Sequence, residues 1–101
     1  MTNTLCLVGR ISNELEIIEN ENGIKQVIVT IAVVRSYKNI DGIYETDFIP
    51  VVLYKGIADN TVEWCKKGDL IGVRGRIQMQ DNNIQIIADK VSFLSSKKAD
   101  E

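Results

Sequence analysis

The sequence predicts a small all-β fold: a five-stranded barrel with one α-helix between the third and fourth strands. Three observations carry this. Apolar residues alternate with polar or aromatic ones through most of the chain, the period-2 signature of strands with one buried face. The one stretch with helical spacing, Lys55–Lys67, falls between the third and fourth alternating segments. Asn-Gly and Asp-Gly pairs interrupt the alternation where hairpins are needed, at Asn22-Gly23 and Asp41-Gly42. With 101 residues and 45% hydrophobic content, the chain forms one domain and can build a core without covalent staples. Other small barrels, or an open sheet with one helix, are the competing arrangements.

The first strand spans Thr4–Ser12, with Leu5, Leu7 and Ile11 on one face and Gly9 marking a bend or bulge. Leu15–Glu19 continues it or forms a short extension. Asn20–Gly23 turns the chain, because Asn and Gly tolerate the positive φ of a hairpin. Ile24–Arg35 is a β-branched second strand. Tyr37–Asn39 leads into the Asp41-Gly42 turn, and Tyr44–Tyr54 returns as the third strand, with Pro50 expected at a bulge or an edge. In the helix, Ile57, Thr61 and Trp64 recur with Ala58, Val62 and Cys65, and Gly68 is the expected stop. Trp64 is read as core packing at the barrel end. Asp69–Gln80 and Ile84–Phe93 are the fourth and fifth strands, joined at Asp81-Asn82-Asn83, and a polar tail follows from Ser95. Three strands, a helix and two strands is the order of an OB-fold. The OB domain is expected over 1–94 and a frayed tail over 95–101.

Composition excludes several functions. There is no histidine, no CxxC spacing and no phosphate-binding Gly-Lys-Ser/Thr loop, so Ser-His-Asp catalysis, a zinc site and a P-loop are not expected. Gly72 and Gly75 are read as allowing strand curvature and close approach. Cys6 and Cys65 are read as small buried hydrophobes in a reducing cytoplasm. No apolar run is long enough to cross a bilayer, and Met1-Thr-Asn-Thr has no signal-peptide pattern. A cytoplasmic protein with no enzymatic activity, no cofactor and no metal is expected.

The informative pattern lies between Tyr37 and Arg76. Across Thr46–Tyr54 the odd residues Asp47, Ile49, Val51 and Leu53 suit a core, while Phe48 and Tyr54 share the opposite face. Across Leu70–Gln80, Ile71, Val73, Ile77 and Met79 are expected inward, with Arg74, Arg76 and Gln78 outward. Rings and guanidinium groups on the outer wall of a small barrel suit stacked bases between neutralised phosphates. The competing reading is an ordinary amphipathic sheet. A net charge of −2 opposes generic polyanion binding, although Arg35, Lys38, Lys55, Arg74 and Arg76 gather near the aromatics.

Six segments together resemble the bacterial and phage single-stranded DNA-binding proteins over Met1 to Leu94. They are Leu7-Val-Gly-Arg-Ile11, Ile31-Ala-Val-Val-Arg35, Asp47-Phe-Ile-Pro-Val-Val-Leu-Tyr54, Lys66-Lys-Gly-Asp-Leu70, Gly72-Val-Arg-Gly-Arg-Ile77 and Ala88-Asp-Lys-Val-Ser-Phe-Leu94. The resemblance implies an OB domain that wraps single-stranded DNA and assembles as a homotetramer, or a dimer. It maps base-stacking aromatics onto Tyr37, Phe48 and Tyr54, with Tyr44 as a weaker candidate. It makes Arg35, Lys38, Lys55, Arg74 and Arg76 the expected phosphate contacts. For Phe48 and Tyr54 the competing role is packing under a neighbouring subunit, and Arg10 suits an interface or the open surface.

Two departures qualify the resemblance. Cellular members continue into a Gly/Pro/Gln-rich tail with an acidic tip, whereas this sequence ends at Lys97-Lys-Ala-Asp-Glu101. Recruitment of repair enzymes through such a tip is therefore not expected. The hairpin at Asp81–Asn83 is also much shorter than in relatives, which implies a smaller DNA site. A phage or mobile-element form, a specialised paralogue and a shortened form all fit. The competing function is an OB-fold protein–protein adaptor, primosome-like or acting on a cellular homologue. RNA binding is a variant of the first reading, since nothing here reads a 2′-hydroxyl.

Overall fold

The computed structural model describes residues 1–96. Along the chain run β1 (Leu5–Ile11), β2 (Ile18–Glu19), β3 (Lys25–Lys38), β4 (Tyr44–Tyr54), α1 (Lys55–Trp64), β5 (Leu70–Gln80) and β6 (Asn83–Ser95). In space the order is β1-β5-β6-β4-β3-β2, and β1 also pairs with β3, closing five strands into a ring. The two-residue β2 is an addition to β3, as the short extension after the first strand anticipated. All pairings are antiparallel except the single parallel bridge Val52↔Ile87 between β4 and β6.

Alternation sets the core. Val27, Val29 and Ile31 of β3, Val51 and Leu53 of β4, and Ile71 and Val73 of β5 point inward and are buried, with Ala58 of α1 packed against them. Each such side chain stabilises the fold by about 1.5–3 kcal/mol relative to exposure. Pro50 lies opposite Thr30, whose amide and carbonyl turn away from β4 to Asn13 and Ser12, so no N–H is wanted from Pro50 on that side, and β4 has β3 as its only paired neighbour there.

One turn device is used twice. The Asn20 side-chain oxygen accepts from the backbone of Asn22 and Ile24, and the Asn39 oxygen accepts from Asp41 and Ile43. Gly23 and Gly42 close these turns with φ of +74° and +77°. The β5–β6 hairpin turns on Asp81 and Asn82, whose φ values of +50° and +67° match the left-handed pair of a type I′ turn.

Several expectations are corrected. β3 continues to Lys38, so Tyr37 lies in a strand and not in a loop. Gly9 causes no register shift; it is instead a crossing point, where an added Cβ would lie 2.3 Å from the Ala32 carbonyl oxygen. Gly72 is not needed for close approach, since its Cβ would meet only side chains, at 3.7 Å and beyond. Ile77 and Met79 are exposed, not inward, because β1 pairs with β5 only as far as Gly75 and the hairpin projects beyond the barrel. Cys6 is exposed on β1, while Cys65 is buried.

The helix ends at Trp64, earlier than expected. Cys65 is extended, and the chain is drawn onto β1: the Gly68 amide donates to Ile11, the Ile11 amide donates to Asp69, and the buried Asp69 carboxylate accepts from Lys66. Gly68, with φ +97°, serves this turn and not the helix cap. Trp64 is 72% exposed, overturning its core assignment. At 3.6 residues per turn it lies about 90° from the centre of the Ala58, Thr61 and Cys65 stripe, on the helix flank. From residue 97 the expected tail lies outside the described residues.

Candidate nucleic-acid interface

The outer face of β3 and β4 carries the candidate site. Phe48 lies opposite Ala32, and Tyr54 lies opposite Gln26. Between them on that face lie the pairs Thr30–Pro50 and Ile28–Val52, of which Pro50 and Ile28 are exposed and Val52 is buried. Phe48 is 64% exposed between the partly buried Asp47 and Ile49, and Tyr54 is half-buried beside the fully buried Leu53. Six residues of strand separate the two rings, about 20 Å at ~3.3 Å per residue.

Beyond the barrel, β3 and β4 form a two-stranded arm. Lys38 lies opposite Tyr44, with its ammonium 5.7 Å from the ring centroid, so both share the face that carries Phe48. The β3–β4 register shifts between Val34 and Lys38, and alternation through that irregularity puts Tyr37 with Arg35 on the other face of the arm. Tyr37 is 63% exposed there. The structure therefore groups Tyr44, not Tyr37, with Phe48. The signal available in the sequence was the equal parity of Tyr44 and Phe48 on one strand.

The five cations differ in availability. Arg35 is held by a fork of hydrogen bonds: its Nε and one terminal nitrogen donate to Asp47, both at 3.0 Å, and the other donates to Glu45 at 2.6 Å. The hydrogen bond from Arg35 holds the Asp47 carboxyl below its usual range, and Arg35 is itself raised by the same contact. Arg76 pairs with Asp89. Arg76 lies opposite Ile87, which bridges to Val52, so it is the β5 cation nearer the β4 outer face. Arg74 is not brought beside Phe48, because it sits between Cys6 of β1 and Lys90 of β6. Lys55, at a left-handed φ of +51°, carries the chain from β4 into the helix and lines an open cavity of about 530 Å³ with Tyr54. Arg10 donates to the Gly68 carbonyl oxygen at 3.0 Å.

Among the described residues no group of three or more His, Cys, Asp or Glu side chains could hold a metal. Burial pushes the Cys65 thiol above its ordinary pKa, the reverse of an activated nucleophile. No helix of the described residues is long and apolar enough to cross a membrane.

A closed five-stranded barrel with its helix between the third and fourth long strands is an OB-fold, and the class presents its outer strand face and loops to oligomeric ligands. Within that class the chain belongs to the Single-strand binding protein family, whose pattern it matches over residues 2–94. It is 36% identical to the single-stranded DNA-binding protein of Streptococcus pneumoniae strain TIGR4 over 110 aligned positions, covering 100% of this chain and 70% of the relative. It is 35% identical to single-stranded DNA-binding protein B of Bacillus subtilis strain 168, covering 96% of this chain and 94% of that one. Against single-stranded DNA-binding protein 2 of Staphylococcus aureus strain COL, identity is 38%, over 96% of this chain and 76% of the relative.

Proposed function

We propose that this chain binds single-stranded DNA without sequence preference, as a non-enzymatic cytoplasmic protein of replication, recombination or repair. Phe48 and Tyr54 stack bases along β4, and Tyr37 and Tyr44 offer rings on the two faces of the arm. Lys38, Lys55 and Arg74 are the readily available phosphate contacts. Arg35 and Arg76 contribute once a phosphate displaces Asp47 or Asp89. The observation that carries this reading is Phe48, 64% exposed on the face of β4 opposite the core residues Val51 and Leu53. Any base offers a face to a ring, so affinity arises without sequence readout.

Self-association follows from β1. From Leu5 to Gly9 it pairs with β5 alone, leaving its other edge open to a second copy. Two such dimers would give the tetramer that family resemblance implies.

Fluorescence anisotropy of labelled oligo-dT against a duplex of equal length tests the function. Length-dependent binding to the single strand alone is expected, with a shallow salt response of about 0.7 in log K per phosphate neutralised. A folded protein that ignores both ligands at micromolar concentration would turn the assignment toward a protein–protein adaptor.

Asp47→Asn gives a second prediction. Removing the charge that holds Arg35 should raise single-strand affinity and steepen the salt slope by about 0.7. Lowering pH should act similarly. The carboxyl is depressed in the folded protein, so its stabilising effect is present above its unfolded pKa and disappears as pH falls through the lowered folded value. Arg35 loses its Asp47 partner in that same acidic window. Because Glu45 also holds Arg35, unchanged affinity and slope in the double variant Asp47→Asn with Glu45→Gln would remove Arg35 from the DNA path.

A further inference from the structure

β6 has one edge covered and one open. Val52↔Ile87 is its only bridge to β4, and from Ala88 to Ser95 it pairs with β5 alone. The β5–β6 register is regular from Lys90 to Phe93, and in an antiparallel ladder alternate residues turn their N–H and C=O to the far side. Among the described residues nothing bonds to those outward groups. Helix α1 lies alongside, and a groove of about 370 Å³ runs between the two. Ile57, Trp64, Val91 and Phe93 make it apolar, with Trp64 and Phe93 exposed. Two charged side chains also line it, Asp89 and Lys90. Asp89 is paired with Arg76. Among the described residues Lys90 has no ion-pair partner, and neither has Arg74, which lies opposite it.

We infer that this groove docks an extended peptide of a partner protein, which adds to the open edge of β6 as a further strand. The inference is independent of the single-stranded DNA reading. Main-chain donors and acceptors left in alternation are matched by another strand, and the flanking apolar cavity then selects side chains. A residue of the added strand opposite Val91 or Phe93 shares their face, so an apolar side chain there enters the cavity against Trp64. A residue opposite Lys90 or Ser92 lies on the other face, beside the Lys90 and Arg74 cations, where a carboxylate is favoured. The partner is therefore a segment in which apolar and acidic residues alternate. A DNA strand meets the cations but has no backbone N–H for the β6 carbonyl oxygens. A second copy is disfavoured by charge. Pairing β6 with β6 gathers two Lys90 and two Arg74 on one sheet face, while the Asp89 of each copy is already paired.

The chain has a single tryptophan, so Trp64 emission reports on the groove. The probe is an acetylated, amidated peptide of alternating leucine and glutamate, titrated into the whole chain. A saturable blue shift of Trp64 emission is expected. Two further probes are the same peptide N-methylated at its leucine amides or at its glutamate amides. One of them is expected to bind roughly tenfold more weakly, the scale of two lost hydrogen bonds, and the other like the parent. Lys90→Glu is expected to bind the leucine–glutamate peptide roughly two- to fivefold more weakly and to favour a leucine–lysine peptide instead. No shift at millimolar peptide overturns the inference. So does parent-like binding of both methylated forms, or an unchanged preference in Lys90→Glu. Displacement of the peptide by oligo-dT would give the groove to nucleic acid, and a blue shift that grows with protein concentration alone would give it to a second copy. Either result also overturns the peptide site.

Discussion

Replacing Tyr37, Phe48 and Tyr54 together by alanine is expected to abolish measurable binding of single-stranded DNA. Truncating a base-stacking aromatic costs ~1–3 kcal/mol per base, so three account for about 3–9 kcal/mol. A micromolar complex is worth about 8.2 kcal/mol, so even the middle of that range moves it beyond detection. The fold should survive, because Tyr37 and Phe48 are exposed and only Tyr54 is half-buried. Among the single variants, Phe48→Ala and Tyr54→Ala should cost more than Tyr37→Ala, which lies across the arm from Phe48. Anisotropy with oligo-dT, alongside circular dichroism to establish folding, reads the outcome. Wild-type affinity in a folded triple variant would rule out stacking as the source of binding.

Gly75→Ala should be among the most destabilising single substitutions in the barrel. Its Cβ would lie 2.1 Å from the Ile87 carbonyl oxygen, 3.0 Å from the Ile87 carbonyl carbon and 3.2 Å from the Ala88 Cα. All three are backbone atoms, so no rotamer change can relieve the clash. The β5–β6 register shifts between Arg74 and Gly75, leaving Asp89 as the extra residue of a bulge that bends β6 into the barrel wall. Forcing the strands apart there should cost about 3 kcal/mol or more. For a domain of this size that lowers Tm by roughly 10–25 °C. Gly72→Ala is the internal control, since it meets only ordinary side-chain contacts and should shift Tm by little. A Gly75→Ala protein that melts with wild type would show that the bulge yields freely.

The fold was legible because strand alternation, Asn-Gly and Asp-Gly turns and one helical stretch are local signals. Tyr44–Tyr54 was bounded as observed for that reason: a turn precedes it and the period changes after it. Trp64 was misplaced because helical spacing fixes an angle around the helix but not what lies across from it. The chain leaves the helix after Trp64 to bond with β1, and the indole stays on the helix flank, 72% exposed. Ile77 and Met79 were misplaced for a related reason. Alternation states which residues share a face, while burial depends on how far the partner strand runs, and β1 stops pairing with β5 at Gly75.

The candidate site divides the same way. The sequence by itself determined that Phe48 and Tyr54 share a face opposite the core, because alternation is a property of one strand. It also determined that the chain would turn at Asn20–Gly23 and at Asp41-Gly42, because those signals are local; that the Asn39 side chain braces the second turn was shown by the structure. Only the tertiary structure decided that Arg35 and Arg76 are tied to carboxylates ten or more residues away, and that Gln26 and Gln85 line one cavity with Tyr54. Those arrangements depend on strand register and barrel closure. Both are set by how the whole sheet buries its apolar face, and no single segment encodes them.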